Sequence, residues 1–506
     1  MKFNLKKDYY KIIIAAVLAL LIAPQLYAIY YSVPASDDFA MALGRVGQDS
    51  LVSEYFHNLD FFWNNRGGTI VAFATEILLN PLNLHVHLGH AYGVFMIVAY
   101  LLCLACIIYG IRGIVMYIMC RDQSGFNLTR EQHIQLGVIT VTILATMLCT
   151  YYYVEAHNWY VGMMAYQLPM AMEFLFFGHT VRFAKTASNS SLVVLIIAGI
   201  IAANNTVMDV PVGLFYVLVI YLCQGINTES RKYRVKRSIP LLVCIVAGVA
   251  GVLAPGNFVR QSQYTEKPGL MESGVQAVAD VIYRLKFILL GHPFTVALFI
   301  LLILLGFIVN NQVQIRKIRL WQIIALGIVI AVGWVGSVLP YVYGRGFTTT
   351  YLDVRVQYVL DYFIEMGIGT ICLMCGLWLG ALCSRPVSRR VMAGVLAVFA
   401  LCTCGYVLSD QHIYSISQVD LYCSSGLLPA DYDLWNGILY EIETSDADEV
   451  EVVREYNIPW CKFFLYSGME SGETYAADLD CIYDKQQILP NVYYRKKAIT
   501  VWYPEE

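Results

Sequence analysis

The run Ile12-Ile-Ile-Ala-Ala-Val-Leu-Ala-Leu-Leu-Ile-Ala-Pro-Gln-Leu-Tyr-Ala-Ile-Tyr-Tyr31, followed at once by Pro34-Ala-Ser-Asp-Asp-Phe39, decides the class of this chain. About 20 apolar residues cross a hydrocarbon core of roughly 30 Å as a helix. Lys2, Lys6, Lys7 and Lys11 precede the run. It is longer than the apolar region of a secretory signal and lacks a small-x-small cleavage site, so it reads as an uncleaved anchor. Two adjacent carboxylates, Asp37 and Asp38, then lie at the membrane surface rather than in bulk water. One reading makes Ser36 the cap of a short helix whose first turn favours negative charge. The other makes one carboxylate a general base at the lipid–water boundary, taking a proton from a hydroxyl while a second substrate arrives through the bilayer. The two are compatible, since one Asp can cap while its neighbour faces a pocket.

Composition supports the same class. Charged residues make up 14% and hydrophobic residues 58%, with a mean hydropathy of +0.58, against about 25% charged in a typical soluble domain. This is the composition of a polytopic helical membrane protein. A net charge of −3 and the lack of a long charged tail argue against nucleic acid as a partner. Most of the 14 cysteines fall in apolar segments, where they read as small buried hydrophobes. Cys372-x-x-Cys375 sits in such a segment and reads as part of a span.

Further spans are expected at about 87–110, 133–153, 163–181, 191–204, 208–224, 238–254, 287–309, 321–341, 361–384 and 390–409, about eleven in all with the first. The segment 191–204 is short for a crossing, which leaves 191–224 open to a re-entrant or broken arrangement. Lys and Arg concentrate in alternate loops: Arg112, Arg121 and Arg130; Arg182 and Lys185; Arg231 to Arg237; Arg316, Lys317 and Arg319; Arg385, Arg389 and Arg390. Cytoplasmic loops carry this excess. The amino terminus is therefore expected inside and the carboxyl terminus outside.

That orientation places the unusual polar residues on one face. The first outer loop, 32–86, is too long for a connector. It holds Asp37 and Asp38, an amphipathic stretch Leu51–Trp63 spaced as an interfacial helix, and Trp63-Asn-Asn-Arg66-Gly-Gly68. The second reads Tyr151-Tyr-Tyr-Val-Glu155-Ala-His157-Asn158-Trp159, with Tyr166-Gln-Leu-Pro169 after it. Later outer loops carry Asn204, Asn205 and Asp209; Ala254-Pro-Gly-Asn257-Phe-Val-Arg260; and Tyr341-Val-Tyr-Gly-Arg345 through Arg355. Arg45 and Arg284 read as side chains snorkelling at span ends. The span centres look nearly free of ionisable residues, which argues against a coupled transporter.

An inside amino terminus, an acidic pair just past the first span, interfacial helices in that loop and polar later loops together resemble the GT-C class of glycosyltransferases. The strings Ser36-Asp-Asp-Phe39, Trp63-x-x-Arg66-Gly, Glu155-x-x-x-Trp159, Tyr166-x-Leu-Pro169 and Ala254-Pro-Gly-Asn-x-x-Arg260 are similar to bacterial membrane families placed beside that class. The resemblance covers residues 1–410. It implies a GT-C-like helical membrane domain in the bacterial plasma membrane. It also implies an inverting transfer of sugar from a polyprenyl-phosphate carrier to a glycan or lipid acceptor on the outer face. Asp37 becomes the base and Asp38 its support. A phosphate leaving group calls for arginine, and Arg66, Arg260, Arg345 and Arg355 lie on the same face. Glu155, His157, Asn158, Trp159 and Asn257 complete the expected binding set. Glu155 and His157 do not reproduce an acid-rich ligand set for a hard cation, so metal-independent inversion is expected, with a divalent cation as the alternative. His85-x-His87-x-x-His90 reads as an interfacial polar collar. A transporter or flippase, and a polysaccharide polymerase or ligase, are the competing functions.

Beyond Asp410 the character changes, and 411–506 reads as a small outward α/β domain. Strands are expected at Asp448–Val453, Lys462–Tyr466 and Ala498–Trp502, and a helix at Tyr475–Tyr483. Cys423, Cys461 and Cys481 lie here and allow one internal pair.

Overall fold

The computed structural model describes residues 5–43, 50–86, 88–120, 128–205, 207–223, 231–263, 269–313, 318–345, 352–383, 387–388, 394, 425–454, 469, 471–476 and 493–502. The chain begins with α1 (Leu5–Tyr30), one turn α2 (Asp37–Ala40), α3 (Leu51–Asn65) and α4 (Ile70–Leu78), and a 3-10 turn at Pro81–Leu84. Then come α5 (Ala91–Cys120), α6 (Arg130–Cys149), the short α7 (Val154–His157) and α8 (Tyr160–Gly162), a π-turn at Met163–Gln167, and α9 (Leu168–Thr186). They are followed by α10 (Asn189–Ala203), α11 (Asp209–Tyr216), α12 (Arg231–Val252), α13 (Pro255–Ser262), α14 (Leu270–Gly291), α15 (Pro293–Val313), α16 (Leu320–Arg345) and α17 (Val354–Leu382).

Among the described residues, seven helical stretches are long and apolar enough to cross a membrane: Tyr10–Tyr30, Ala91–Met119, Arg130–Cys149, Val235–Ser262, Pro293–Asn310, Leu320–Gly344 and Val354–Leu382. Each overlaps an expected span. The expected span 163–181 is the π-turn and α9, while 191–204 and 208–224 fall on the shorter apolar helices Asn189–Ala203 and Asp209–Tyr221. The span at 390–409 lies outside the described residues. The helices approach closely where glycine allows it. A Cβ on Gly376 of α17 would stand 2.1 Å from the Ile303 carbonyl oxygen of α15, and one on Gly110 of α5 would stand 2.2 Å from that of Phe174 on α9. Small residues at such crossings let backbones meet where lipid offers no hydrophobic drive.

The structure corrects the sequence reading in three places. Residues 255–286, read as an outer loop, are largely α13 and α14. On α14 the buried face carries Ser273, Ala277, Asp280, Arg284 and Ile288, while Leu270, Met271, Val275 and Leu290 are exposed. Polar residues that face inward lowered the apparent hydropathy and hid a helix with an apolar outer face. Arg284 does not snorkel. Its Nε donates to Asp361 Oδ1 at 2.8 Å, Nη1 to Gln357 Oε1 at 2.8 Å, and Nη2 to Asp361 Oδ2, which also accepts from the Tyr153 hydroxyl. Nor are the helix interiors free of acids, for Glu173 in α9 and Glu365 in α17 are both buried.

Near the carboxyl end, α18 (Leu427–Thr444) packs on a sheet of β1 (Glu449–Val453), β2 (Thr474–Ala476) and β3 (Ala498–Trp502) in the order β1-β3-β2. β1 is parallel to β3, pairing Glu449 with Ala498, and β2 is antiparallel to it. The strand expected at 462–466 lies outside the described residues. The expected helix from Tyr475 does not begin there, because Thr474–Ala476 pairs with β3 instead. β-favouring Thr and Tyr beside an open strand edge explain the exchange. Cys423, Cys461 and Cys481 lie outside the described residues.

This α/β unit shares one apolar cluster with the first loop. Leu428, Tyr432, Trp435 and Ile438 of α18 pack with Ala28, Val33, Phe39, Leu82 and Tyr152. Asn436 Oδ1 accepts from Gly89 N at 2.8 Å, and the Tyr493 hydroxyl donates to the Leu82 carbonyl at 3.1 Å. His90 lies between the rings of Tyr30 and Tyr432, at centroid distances of 4.0 and 4.5 Å and nearly parallel to both. That places His90 in an aromatic stack. His87 lies outside the described residues.

Candidate functional site

The chain leaves α1 at Tyr30, runs without regular structure through Ser32–Ala35 and turns once into α2. The turn separates the two acids, because successive helical side chains point about 100° apart. Asp38 points inward and is 0% exposed. Its Oδ2 accepts from Ala35 N at 2.9 Å and from the Tyr92 hydroxyl at 2.7 Å, and its Oδ1 from Val161 N at 3.0 Å. One carboxyl thus ties the first loop to α5 and α8. Burial pushes Asp38 up to about 7, against the three donors, which favour the charged form. Ser36 is not the cap. It has φ 45° and makes no side-chain cap bond, and Asp38 reaches back to Ala35 N in its place. Asn80 Nδ2 donates to the Asp38 carbonyl at 2.8 Å, and Trp159 Nε1 donates to the Ala35 carbonyl at 3.1 Å.

Asp37 points the other way and is half-buried. Its carboxylate accepts no hydrogen bond from the described residues, and the charges that act on it are those of Arg66, Arg355 and Arg260. Burial outweighs them and raises Asp37 above its ordinary 3.8. Three arginines that are far apart in sequence therefore gather around one carboxylate.

Two glycine-bearing strings bring the chain just after Arg66 against the chain just before Arg260. Arg66 ends α3, and Gly67-Gly68 lies against the break between α12 and α13. A Cβ on Gly68 would stand 1.6 Å from the Gly251 carbonyl oxygen, and one on Gly256 would stand 2.5 Å from Gly67 N. Asn257 spans this contact. Its Oδ1 accepts from Gly68 N at 3.3 Å, and its Nδ2 donates to the carbonyls of Gly251 at 2.7 Å and Val252 at 3.1 Å. Both amide hydrogens of Asn257 are used by the backbone. Arg66 Nε is buried without a hydrogen-bond partner among the described residues.

Arg355 stands on the first turn of α17. Its guanidinium lies 5.6 Å from the Trp159 ring centre and 6.0 Å from that of Tyr166, and its Nε is 4.0 Å from Glu155 Oε2. Its Nη2 also donates to Asp353 Oδ2 at 3.4 Å, so the aromatic faces hold a cation that Asp353 and Glu155 partly offset. Glu155 is half-buried and raised by burial, with Arg355 opposing the shift. Arg345 closes α16, and its side chain lies outside the described residues.

His157 and Asn158 leave the expected binding set. His157 is 1% exposed, with Nδ1 3.1 Å from Gln167 Oε1 and with Tyr100, Tyr152 and Tyr358 around its ring. Burial lowers it to about 4, so it is neutral at physiological pH. Asn158 is equally buried, accepting from the Tyr152 hydroxyl and donating to the Ala28 carbonyl at 2.9 Å. Both fasten the second loop to α1 and to the π-turn. Among the described residues, no three His, Cys, Asp or Glu side chains come together to hold a metal ion.

Sequence reasoning missed Glu76. It lies on the buried face of α4, and its neighbours in charge are Asp37, Asp38 and Arg355. A lone acid in the apolar run Ile70-Val-Ala-Phe-Ala-Thr-Glu-Ile-Leu78 was the available signal. No protein-family model matches the chain, and comparison with curated proteins and with solved structures returns no match either.

Proposed function

We propose that this chain is a membrane glycosyltransferase of GT-C type. It takes a sugar from a polyprenyl-phosphate carrier at the outer face of a bacterial plasma membrane and passes it to a cell-envelope glycan or lipid. The observation that carries the reading is Asp37, half-buried at the end of the first span, with no hydrogen-bond donor among the described residues and with Arg66, Arg260 and Arg355 acting on it. An acceptor hydroxyl gives its proton to Asp37 as its oxygen attacks the anomeric carbon, and the carrier phosphate leaves with the bonding pair. Arginine meets that phosphate with two parallel donors, gaining strength as its charge develops. Asp38 is taken up by Ala35 N, Tyr92 and Val161 N. It holds the loop that carries Asp37.

The test is mass spectrometry of lipids that co-purify with the protein, followed by transfer from the identified polyprenyl-phosphate sugar in proteoliposomes. Co-purification of such a lipid, with transfer of its sugar, is the expected result. Its absence from the preparation, with no transfer from supplied donors, overturns the reading.

Glu173 and Glu365, buried within helices, favour a second reading, a transporter or flippase, because ionisable groups at such depth mark ion and substrate paths. That reading requires a labelled lipid-linked sugar to cross the bilayer with no glycosidic bond formed.

A further inference from the structure

Glu76 is 1% exposed, and neither of its carboxyl oxygens has a hydrogen-bond partner among the described residues. The helix that carries it is held in place by other groups. Asn204 Oδ1 accepts from Val71 N at 3.0 Å, the Tyr160 hydroxyl donates to the Thr75 carbonyl at 3.1 Å, and Asn83 Nδ2 donates to the Ile77 carbonyl at 2.7 Å. So Glu76 is not what fixes α4, and a buried polar group left unmatched lowers stability. Its charge neighbours, Asp37, Asp38 and Arg355, come from α2 and α17 and belong to the site described above.

Burial, then the two aspartates, push Glu76 well above the usual carboxylate range, with Arg355 opposing. A protonated carboxyl offers one donor and one acceptor, the complement of a single hydroxyl group. A phosphate, which offers acceptors, would use the donor alone and would add negative charge beside two acids.

We infer that Glu76 binds a hydroxyl of the transferred sugar and so selects the donor by its hydroxyl pattern, an inference that rests on the glycosyltransferase reading of this site. The carrier phosphate goes to the arginines, and the sugar ring lies over α4.

The experiment measures binding to the full-length protein in nanodiscs. The probes are undecaprenyl phosphate and undecaprenyl-phosphate-linked glucose, galactose and mannose. Wild type is expected to bind at least one of the three hexose lipids about tenfold more tightly than the bare carrier, the scale of a hydrogen bond to a buried polar group. Glu76→Leu, which fills the same space without polar atoms, is expected to lose that preference. It should keep its affinity for undecaprenyl phosphate within about twofold and unfold at no lower temperature. Glu76→Gln, with a donor and an acceptor, is expected to keep most of the preference, and Glu76→Ala serves if Leu proves too bulky to fold. A Glu76→Leu or Glu76→Ala variant with undiminished preference overturns the assignment and leaves the glycosyltransferase reading standing. A wild type that binds all three hexose lipids no better than the carrier overturns the assignment, and the glycosyltransferase reading falls with it only where no lipid-linked sugar co-purifies and none is transferred.

Discussion

Two neighbouring acids have opposite surroundings at the first loop. Asp37 has no donor among the described residues and so is free to take a proton, while Asp38 is saturated by Ala35 N, Tyr92 and Val161 N. Asp37→Asn is expected to lower transfer by about 10²–10⁴-fold, as loss of a general base does, with donor binding unchanged. Because Asp37 lies above its ordinary 3.8 and works only when ionised, the acid limb of the pH–rate profile should rise above that pH. The limb should vanish in Asp37→Asn, and a profile that keeps it assigns the base elsewhere. Asp38→Asn turns an NH2 group toward buried donors and is expected to cost about 1–3 kcal/mol of stability, read as a lower unfolding temperature in detergent. The linkage has a defined sign. Asp38 is raised to about 7 in the folded protein against 3.8 in the unfolded chain, so the folded state binds the extra proton between those values. Its contribution is full below about pH 4 and is lost as pH rises through about 7. Wild-type stability should therefore fall across that window, with a shallower fall in Asp38→Asn.

Helix contacts decide which residues meet, and two of them are tight enough to test. The end of α3 touches the α12–α13 break only because Gly68 and Gly256 lack a side chain. Gly68→Ala or Gly256→Ala forces these backbones apart, and overpacking of this kind costs about 1–3 kcal/mol. Since Arg66 and Arg260 ride on the two sides of that contact, transfer should fall by more than the loss of folded protein explains. A rate that tracks folded fraction alone would show that the contact serves stability only. The second contact fastens α14 to α17 through Arg284, Asp361, Gln357 and Tyr153. Arg284→Ala leaves a buried carboxylate unpaired and is expected to cost about 3–5 kcal/mol. Arg284→Ala combined with Asp361→Leu should recover part of that loss in thermal unfolding, since no buried charge is then left unpaired, although the Tyr153 hydroxyl and Gln357 Oε1 lose these partners.

At the scale of the molecule, the α/β unit near the carboxyl end sits on the loop that bears Asp37, and the Lys/Arg asymmetry predicts that both lie outside. In intact cells a membrane-impermeant thiol reagent should label Asp446→Cys but label Ser238→Cys only after lysis. Labelling in the reverse order would turn the site toward the cytoplasm. Apolar runs of span length announced the membrane class and most of the long helices, because burial of about 20 residues in hydrocarbon is a local property of sequence. The acidic pair and Arg66, Arg260 and Arg355 were legible as polar residues at the ends of those runs. The sequence could not say that Asp38, His157, Asn158 and Asn257 spend their hydrogen bonds on the backbone and on buried side chains, because their partners lie in other elements. α14 stayed hidden because inward-facing polar residues are counted by hydropathy as if they faced water. Glu76 came within reach of the charges of Asp37, Asp38 and Arg355 only when α4 packed on α3, α10 and the π-turn. Periodicity and composition act over one helix turn or one span, whereas the pairing of Arg284 with Asp361 and the gathering of charge at Asp37 depend on packing between distant segments, which only the tertiary structure decides.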